Sequence, residues 1–110
     1  MIYMNLKLSP PVNRTSEVLH AIRLHMGPTQ VQPGCILCKL SQDTQNPSTI
    51  HYQEAWKCWE ELEKHIRSNR FSRILELMEI STSTPDLSFS DVQESRGIEY
   101  VKRLRMVNHN

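Results

Sequence analysis

The sequence predicts an α+β domain in which helices cover one face of a four-stranded antiparallel sheet. Three observations carry this expectation. Some short segments place apolar residues at every second position, others place them every three or four, and the two kinds alternate in a fixed order along 110 residues. A chain of this length hides roughly two-thirds of the surface its unfolded form exposes, which suits a single domain spanning residues 1–110.

Ile2, Met4, Leu6 and Leu8 alternate with Tyr3, Asn5 and Lys7, giving a first strand that Pro10 and Pro11 stop. From Arg14 to Met26, the residues Val18, Leu19, Ile22 and Met26 share one helical face, with Asn13 as a candidate N-cap and Gly27-Pro28 as an expected end or bend. Pro33-Gly34 marks a turn into a second strand, about Cys35 to Leu40. The polar run SQDTQNPST then reads as a loop to an antiparallel third strand, about Thr49 to Trp56. A helix over Cys58 to Ser68 follows. Asn69-Arg70 looks like a restart, because Phe71, Ile74, Leu75 and Met78 form a second amphipathic run. Leu87 and Phe89 alternate in a short fourth strand. Within the tail 97–110, Ile98, Val101 and Arg105 have the spacing of a short terminal helix, expected at a dimer interface.

Strand, helix, strand, strand, helix, strand is the split βαβ order of ferredoxin-like domains. A sheet covered on one side should show a polar opposite face, yet the second strand is apolar on both faces. A second copy packed sheet to sheet would cover it, so a symmetric homodimer is expected.

Thirteen Lys and Arg are scattered among twelve Asp and Glu, without the concentrated positive surface that phosphate binding needs, so nucleic acid is not an expected partner. No apolar stretch approaches bilayer length, and the N-terminus alternates and then breaks, unlike a secretory signal; no membrane partner and a cytoplasmic location are expected. An odd number of cysteines, Cys35, Cys38 and Cys58, fits free thiols in a reducing compartment. Cys35-Ile36-Leu37-Cys38 has the spelling of a redox or zinc motif, but on a regular strand positions three apart face opposite ways. Lacking a second cysteine pair, it reads as two small buried residues, and no metal site is expected.

The stretch Ile50 to His65 carries the chemistry. With period two, Ile50, Tyr52, Glu54 and Trp56 fall on one strand face, placing a carboxylate among large apolar and aromatic groups. With period 3.6, Trp59, Leu62 and Ile66 form a stripe with Cys58 and His65 along one edge. A titratable pair, Glu54 and His65, thus flanks a hydrophobic slot. The bland readings stand beside this one: a carboxylate on an apolar face can be satisfied by a backbone N–H or a partner's arginine, and the tryptophans can simply pack a core or a dimer seam. His20 and Arg23 read as surface, His25 as a satisfied edge histidine, and His51 points away from Glu54; none of the three histidines is given a role.

The element order, the Pro33-Gly34-Cys35 turn and the string Glu54-x-Trp56-x8-His65 resemble the antibiotic biosynthesis monooxygenase family of dimeric α/β barrels, which includes quinol monooxygenases. The resemblance spans nearly the whole chain and weakens after Pro85. It implies two ferredoxin-like subunits joined through their sheets, each with a pocket between sheet and helices. It also implies oxygenation of a small quinol or polyphenol by O2 with no flavin, haem or metal cofactor. On this analogy His65 is the base, Asn5 a donor to the substrate oxyanion, and Glu54 the group that orients the imidazole or accepts a substrate hydroxyl. Tyr52, Trp56, Trp59 and Phe71 would wall the substrate. Many members carry a second histidine where this chain has Arg70, which would instead favour an anionic substrate by bidentate pairing. Haem breakdown is not expected, because no histidine lies between His65 and His109. Two other functions fit the same residues: an isomerase or lyase acting through an enolate on a small anion, and a dimeric ligand-binding module without catalysis.

Overall fold

A computed structural model describes residues 1–107. Strand β1 (Ile2–Leu8) leads through a 3-10 turn at Val12–Arg14 into helix α1 (Thr15–Gln30). Strands β2 (Cys35–Gln42) and β3 (Ile50–Trp56) form a hairpin, followed by helix α2 (Trp59–Arg67), a 3-10 turn at Asn69–Phe71 and helix α3 (Ser72–Ile80). Strand β4 (Asp86–Asp91) and helix α4 (Ile98–Val107) complete the described chain. The sheet order is β2-β3-β1-β4 with every pairing antiparallel, the ferredoxin-like α+β arrangement that the alternation implies.

The apolar members of β1 decide which face is inside. Met4, Leu6 and Leu8 join Ile50 and Tyr52 of β3 beneath Val18, Ile22, Phe71, Ile74 and Leu77 in one buried cluster. Ile2, Trp56 and Leu62 make a smaller cluster at the end of the sheet, with Cys35 packed against it. On the other face β1 presents Asn5 and Lys7, which pair with Gln53 and His51 of β3 and with Ser88 and Asp86 of β4. That face is polar around Asn5 and Lys7, while Tyr3, Ala55 and Leu37 fall side by side on it toward the other end of the strands.

Three expectations need correction. Helix α1 runs through Gly27-Pro28 to Gln30, because the irregularity falls in the last turn. There Pro28 withholds a donor only from the carbonyl four positions earlier, at Leu24, and the Thr29 hydroxyl separately donates to the His25 carbonyl at 2.6 Å. Asn13 does not cap α1: it lies in the 3-10 turn, and Arg14 takes the N-cap position without a side-chain bond. Cys35 and Cys38 do not face opposite ways. A β-bulge between Cys35 and Leu37 shifts the register, and the two sulfurs lie 3.9 Å apart.

Gly34 earns its place in the turn before β2. Its φ is +84°, and a Cβ there would sit 2.6 Å from the Glu61 side chain, so only glycine lets α2 approach this closely. Helix α4 makes no comparable commitment to the core: Ile98 and Met106 are exposed, as are Val101 and Leu104. The end of the predicted tail, 108–110, lies outside the described residues. Among the described residues no helix is long and apolar enough to cross a membrane.

Candidate functional site

The carboxylate of Glu54 is fully buried on the helix-covered face of β3. A buried carboxylate must be surrounded by donors, because desolvating it alone is prohibitively costly. The strand supplies two of them through its own period. Residues two positions away on either side flank Glu54, so the Tyr52 hydroxyl donates to Oε2 at 2.7 Å and the Trp56 indole N–H donates to Oε1 at 3.0 Å. The helices supply the rest. His25 of α1 brings Nε2 to 3.0 Å from Oε2, and His65 of α2 brings Nε2 to 3.2 Å from Oε1 and 3.3 Å from Oε2.

These contacts set the electrostatics. Burial pushes the Glu54 carboxyl up, but hydrogen bonds from His25 and His65, the attraction a protonated His65 exerts and the Tyr52 bond outweigh it and hold the group down at about 2. Burial and the adjacent carboxylate push the Tyr52 phenol far up, so it stays protonated and serves as a fixed donor. Burial raises both neighbouring thiols, Cys35 to about 12, which keeps them protonated and poorly nucleophilic near neutrality.

Both imidazoles are held on all sides. His65 lies 4.9 Å from the Trp56 ring at an interplanar angle of 31°, meets Phe71 edge-on at 5.5 Å, and sits 5.2 Å from His25. His25 in turn meets Tyr52 edge-on at 5.9 Å. With Nε2 of each ring turned to the carboxylate, Nδ1 of each is buried and has no hydrogen-bond partner among the described residues. An imidazole oriented by a carboxylate at one nitrogen and bare at the other is the arrangement of a general base. Two clefts have a member of the cluster in their walls. One of about 240 Å³, lined by Trp56, Glu61, Lys64 and Ser68, has His65 in its wall. The other, about 420 Å³, lies between α1 and the turn before α3 and is lined by His20, Leu24, His25, Arg70 and Arg73.

The structure therefore brings together Glu54, His65, Tyr52, Trp56 and Phe71, and separates the other candidates from them. Asn5 points to the opposite face of the sheet, where its carbonyl oxygen accepts from the Gln53 amide at 2.8 Å. It cannot meet His65 through the sheet. Trp59 is 42 % exposed at the start of α2 and does not line the 240 Å³ cleft that His65 borders. Arg70 sits half-buried in the lining of the larger cleft, which His25 also lines and Glu54 does not. The residue missed from sequence is His25, read there as an edge histidine. Its signal was present: Val18, Ile22, His25 and Thr29 fall on one stripe of α1, and all four are buried.

Residues 1–77 match the sequence profile of the family described as antibiotic biosynthesis monooxygenase. No curated protein matches the chain. Among solved structures, a crystal structure of an antibiotic biosynthesis monooxygenase shares 17 % identity over 86 % of this chain and 100 % of its own, with a TM-score of 0.76. A Deinococcus radiodurans protein shares 16 % identity over 88 % of this chain and 97 % of its own, with a TM-score of 0.79. A conserved protein from Methanosarcina mazei shares 24 % identity over 84 % of this chain and 92 % of its own, with a TM-score of 0.76. At these identities the structural likeness establishes the fold.

Proposed function

Because the chain belongs to the antibiotic biosynthesis monooxygenase family, by a match covering residues 1–77, we propose that it oxidises a small quinol or polyphenol with O2 in a cofactor-independent reaction. The observation that carries this reading is the His65 imidazole, held at Nε2 by Glu54 and bare at Nδ1 beside the Trp56 ring. Triplet oxygen reacts slowly with a closed-shell phenol, whereas a phenolate can pass it one electron. The protein's part is to make that anion in a dry setting. His65 takes the phenolic proton, Glu54 stabilises the imidazolium that forms, and the aromatic wall excludes water. For a hydroquinone, one oxygen atom enters the ring and the other leaves as water, giving a hydroxyquinone. A homodimer formed through the polar sheet face belongs to the same reading, as does a cytoplasmic location.

The test is oxygen uptake by chelator-treated protein with a panel of hydroquinones. We expect turnover that His65→Ala lowers by about 10²-fold or more, the range that general bases contribute. Uptake unchanged in that variant would remove His65 from the mechanism.

One observation favours a second reading, a ligand-binding module without catalysis. Tyr52, Trp56 and Phe71 are 1 %, 0 % and 3 % exposed, so these aromatic side chains fill the space between sheet and helices instead of walling an open chamber. Absence of uptake with every hydroquinone would select this reading. Anaerobic turnover of a small anion would select an enolate isomerase or lyase, with Arg70 in the larger cleft as the anion's partner.

A further inference from the structure

The contacts around Glu54 have the dimensions of a coordination sphere as well as of hydrogen bonds. Zinc-class ions bind nitrogen and oxygen donors at about 2.0–2.2 Å, which puts neighbouring ligand atoms about 3.0–3.4 Å apart in octahedral or tetrahedral geometry. In this protein Oε2 of Glu54 lies 3.0 Å from Nε2 of His25, and the two carboxylate oxygens lie 3.2 and 3.3 Å from Nε2 of His65. Donor atoms of all three residues fall within 4.8 Å of one another, and all three residues are buried.

From this geometry we infer that His25, Glu54 and His65 form a binding site for a divalent transition-metal ion, with two imidazoles and one carboxylate as ligands. Each ligand comes from a different element, α1, β3 and α2, so the folded chain gathers them, and donors within 4.8 Å of one another need close only to the roughly 4.4 Å that opposite ligands of one ion span. The carboxylate already has the outer partners that ligating carboxylates require: the Tyr52 hydroxyl on Oε2 and the Trp56 N–H on Oε1. An ion on the two Nε2 atoms obliges each ring to carry its hydrogen on Nδ1. Neither Nδ1 has an acceptor among the described residues, so each bound ring carries a buried unpaired N–H, at a cost of about 1–3 kcal/mol that the two metal–nitrogen bonds must outweigh. His25 and His65 each form part of a cleft wall, so a small rotation of either ring suffices to admit an ion to the buried cluster. Two imidazole nitrogens and one carboxylate suit zinc, cobalt, nickel or ferrous iron, and exclude calcium and magnesium, which take all-oxygen shells. The site has no local motif in the sequence, because its three ligands are spread over 41 positions.

The inference stands apart from the proposed oxygenation, since binding is read without substrate and the uptake assay is run on chelator-treated protein. Each can fail alone. Chelator-treated protein is titrated with Co²⁺ and with Zn²⁺, following the visible cobalt spectrum, stoichiometry by calorimetry, and the melting temperature. We expect one ion per chain, cobalt bands in the visible, no sulfur-to-cobalt charge transfer in the near ultraviolet, and a raised melting temperature. His25→Ala and Glu54→Gln should each weaken binding at least about 100-fold, while replacing Cys35, Cys38 and Cys58 together by serine leaves it intact. Because Glu54→Gln can perturb folding, circular dichroism qualifies each variant, and the wild-type cobalt spectrum decides independently. Absence of stoichiometric binding, a thiolate charge-transfer band, or binding that survives in folded His25→Ala protein would overturn the assignment.

Discussion

The two faces of one sheet use the same strands for opposite ends. Along β3, Tyr52, Glu54 and Trp56 turn inward to the helices and are completely buried, while His51 and Gln53 turn outward to a shallow polar concavity of about 490 Å³. Polar groups occur on both faces, but their surroundings differ. Outside, Gln53 and Asn5 bond to each other next to solvent. Inside, a single carboxylate takes contacts from two imidazoles, a phenol and an indole. The comparison teaches that the number of polar residues on a face says little about where chemistry is held. What matters is whether the polar groups depend on one another because water cannot reach them.

The largest effect that tests this contrast is truncation at neighbouring positions of β3. Glu54→Ala leaves Tyr52, Trp56, His25 and His65 facing a hole without their acceptor, and should lower unfolding free energy by about 4 kcal/mol. Gln53→Ala removes one partly solvated hydrogen bond and should change it by no more than about 0.5 kcal/mol. Urea denaturation of the two variants reads the difference directly. Comparable losses at both positions would mean that Glu54 is not the centre the inner face depends on.

A pH series on chelator-treated protein sharpens the same contrast. The carboxyl of Glu54 is held at about 2 against an ordinary 4.5. A depressed folded value contributes stability that is fully present above the ordinary value and is lost as pH falls toward the folded one. Linkage makes that contribution about 3 kcal/mol, disappearing between about pH 5 and pH 2. Glu54→Gln should flatten this part of the stability profile even if its plateau is lower, whereas Gln53→Ala should leave the profile's shape unchanged.

Much of the inner face was legible beforehand. The period-two run of β1 and the line Ile50, Tyr52, Glu54, Trp56 define the core side of the sheet because alternation admits only two choices and the apolar set takes one of them. The Glu54 and His65 pairing followed from the same two periodicities. Three things did not come through. The bulge that brings Cys35 and Cys38 together is a backbone irregularity with no mark in the residue pattern. Helix α1 runs through Pro28 because the proline falls in its last turn, where only the Leu24 carbonyl loses a helical donor, and helix-breaker rules do not see that. His25 was within reach, seven positions from Val18 on a stripe already recognised, but a histidine on an apolar stripe is usually an edge residue, and its partner lay 29 positions away in sequence.

Asn5 is the instructive case, because the alternation of β1 argued against it all along. With Ile2, Met4, Leu6 and Leu8 inside, position 5 has to face outward, and a role beside His65 rested on analogy alone. The structure pairs Asn5 with Gln53 across the open face, with the sheet itself standing between them and the Glu54 cluster. The expected effect of Asn5→Ala is therefore the smallest considered. Oxygen uptake should stay within about twofold of wild type, and stability within about 0.5 kcal/mol, since only one part-exposed hydrogen bond is lost. If instead uptake collapses while the melting curve holds, the outer face must take part in the reaction. The inner and outer faces would then form one functional surface, brought together by a second copy packed against the sheet.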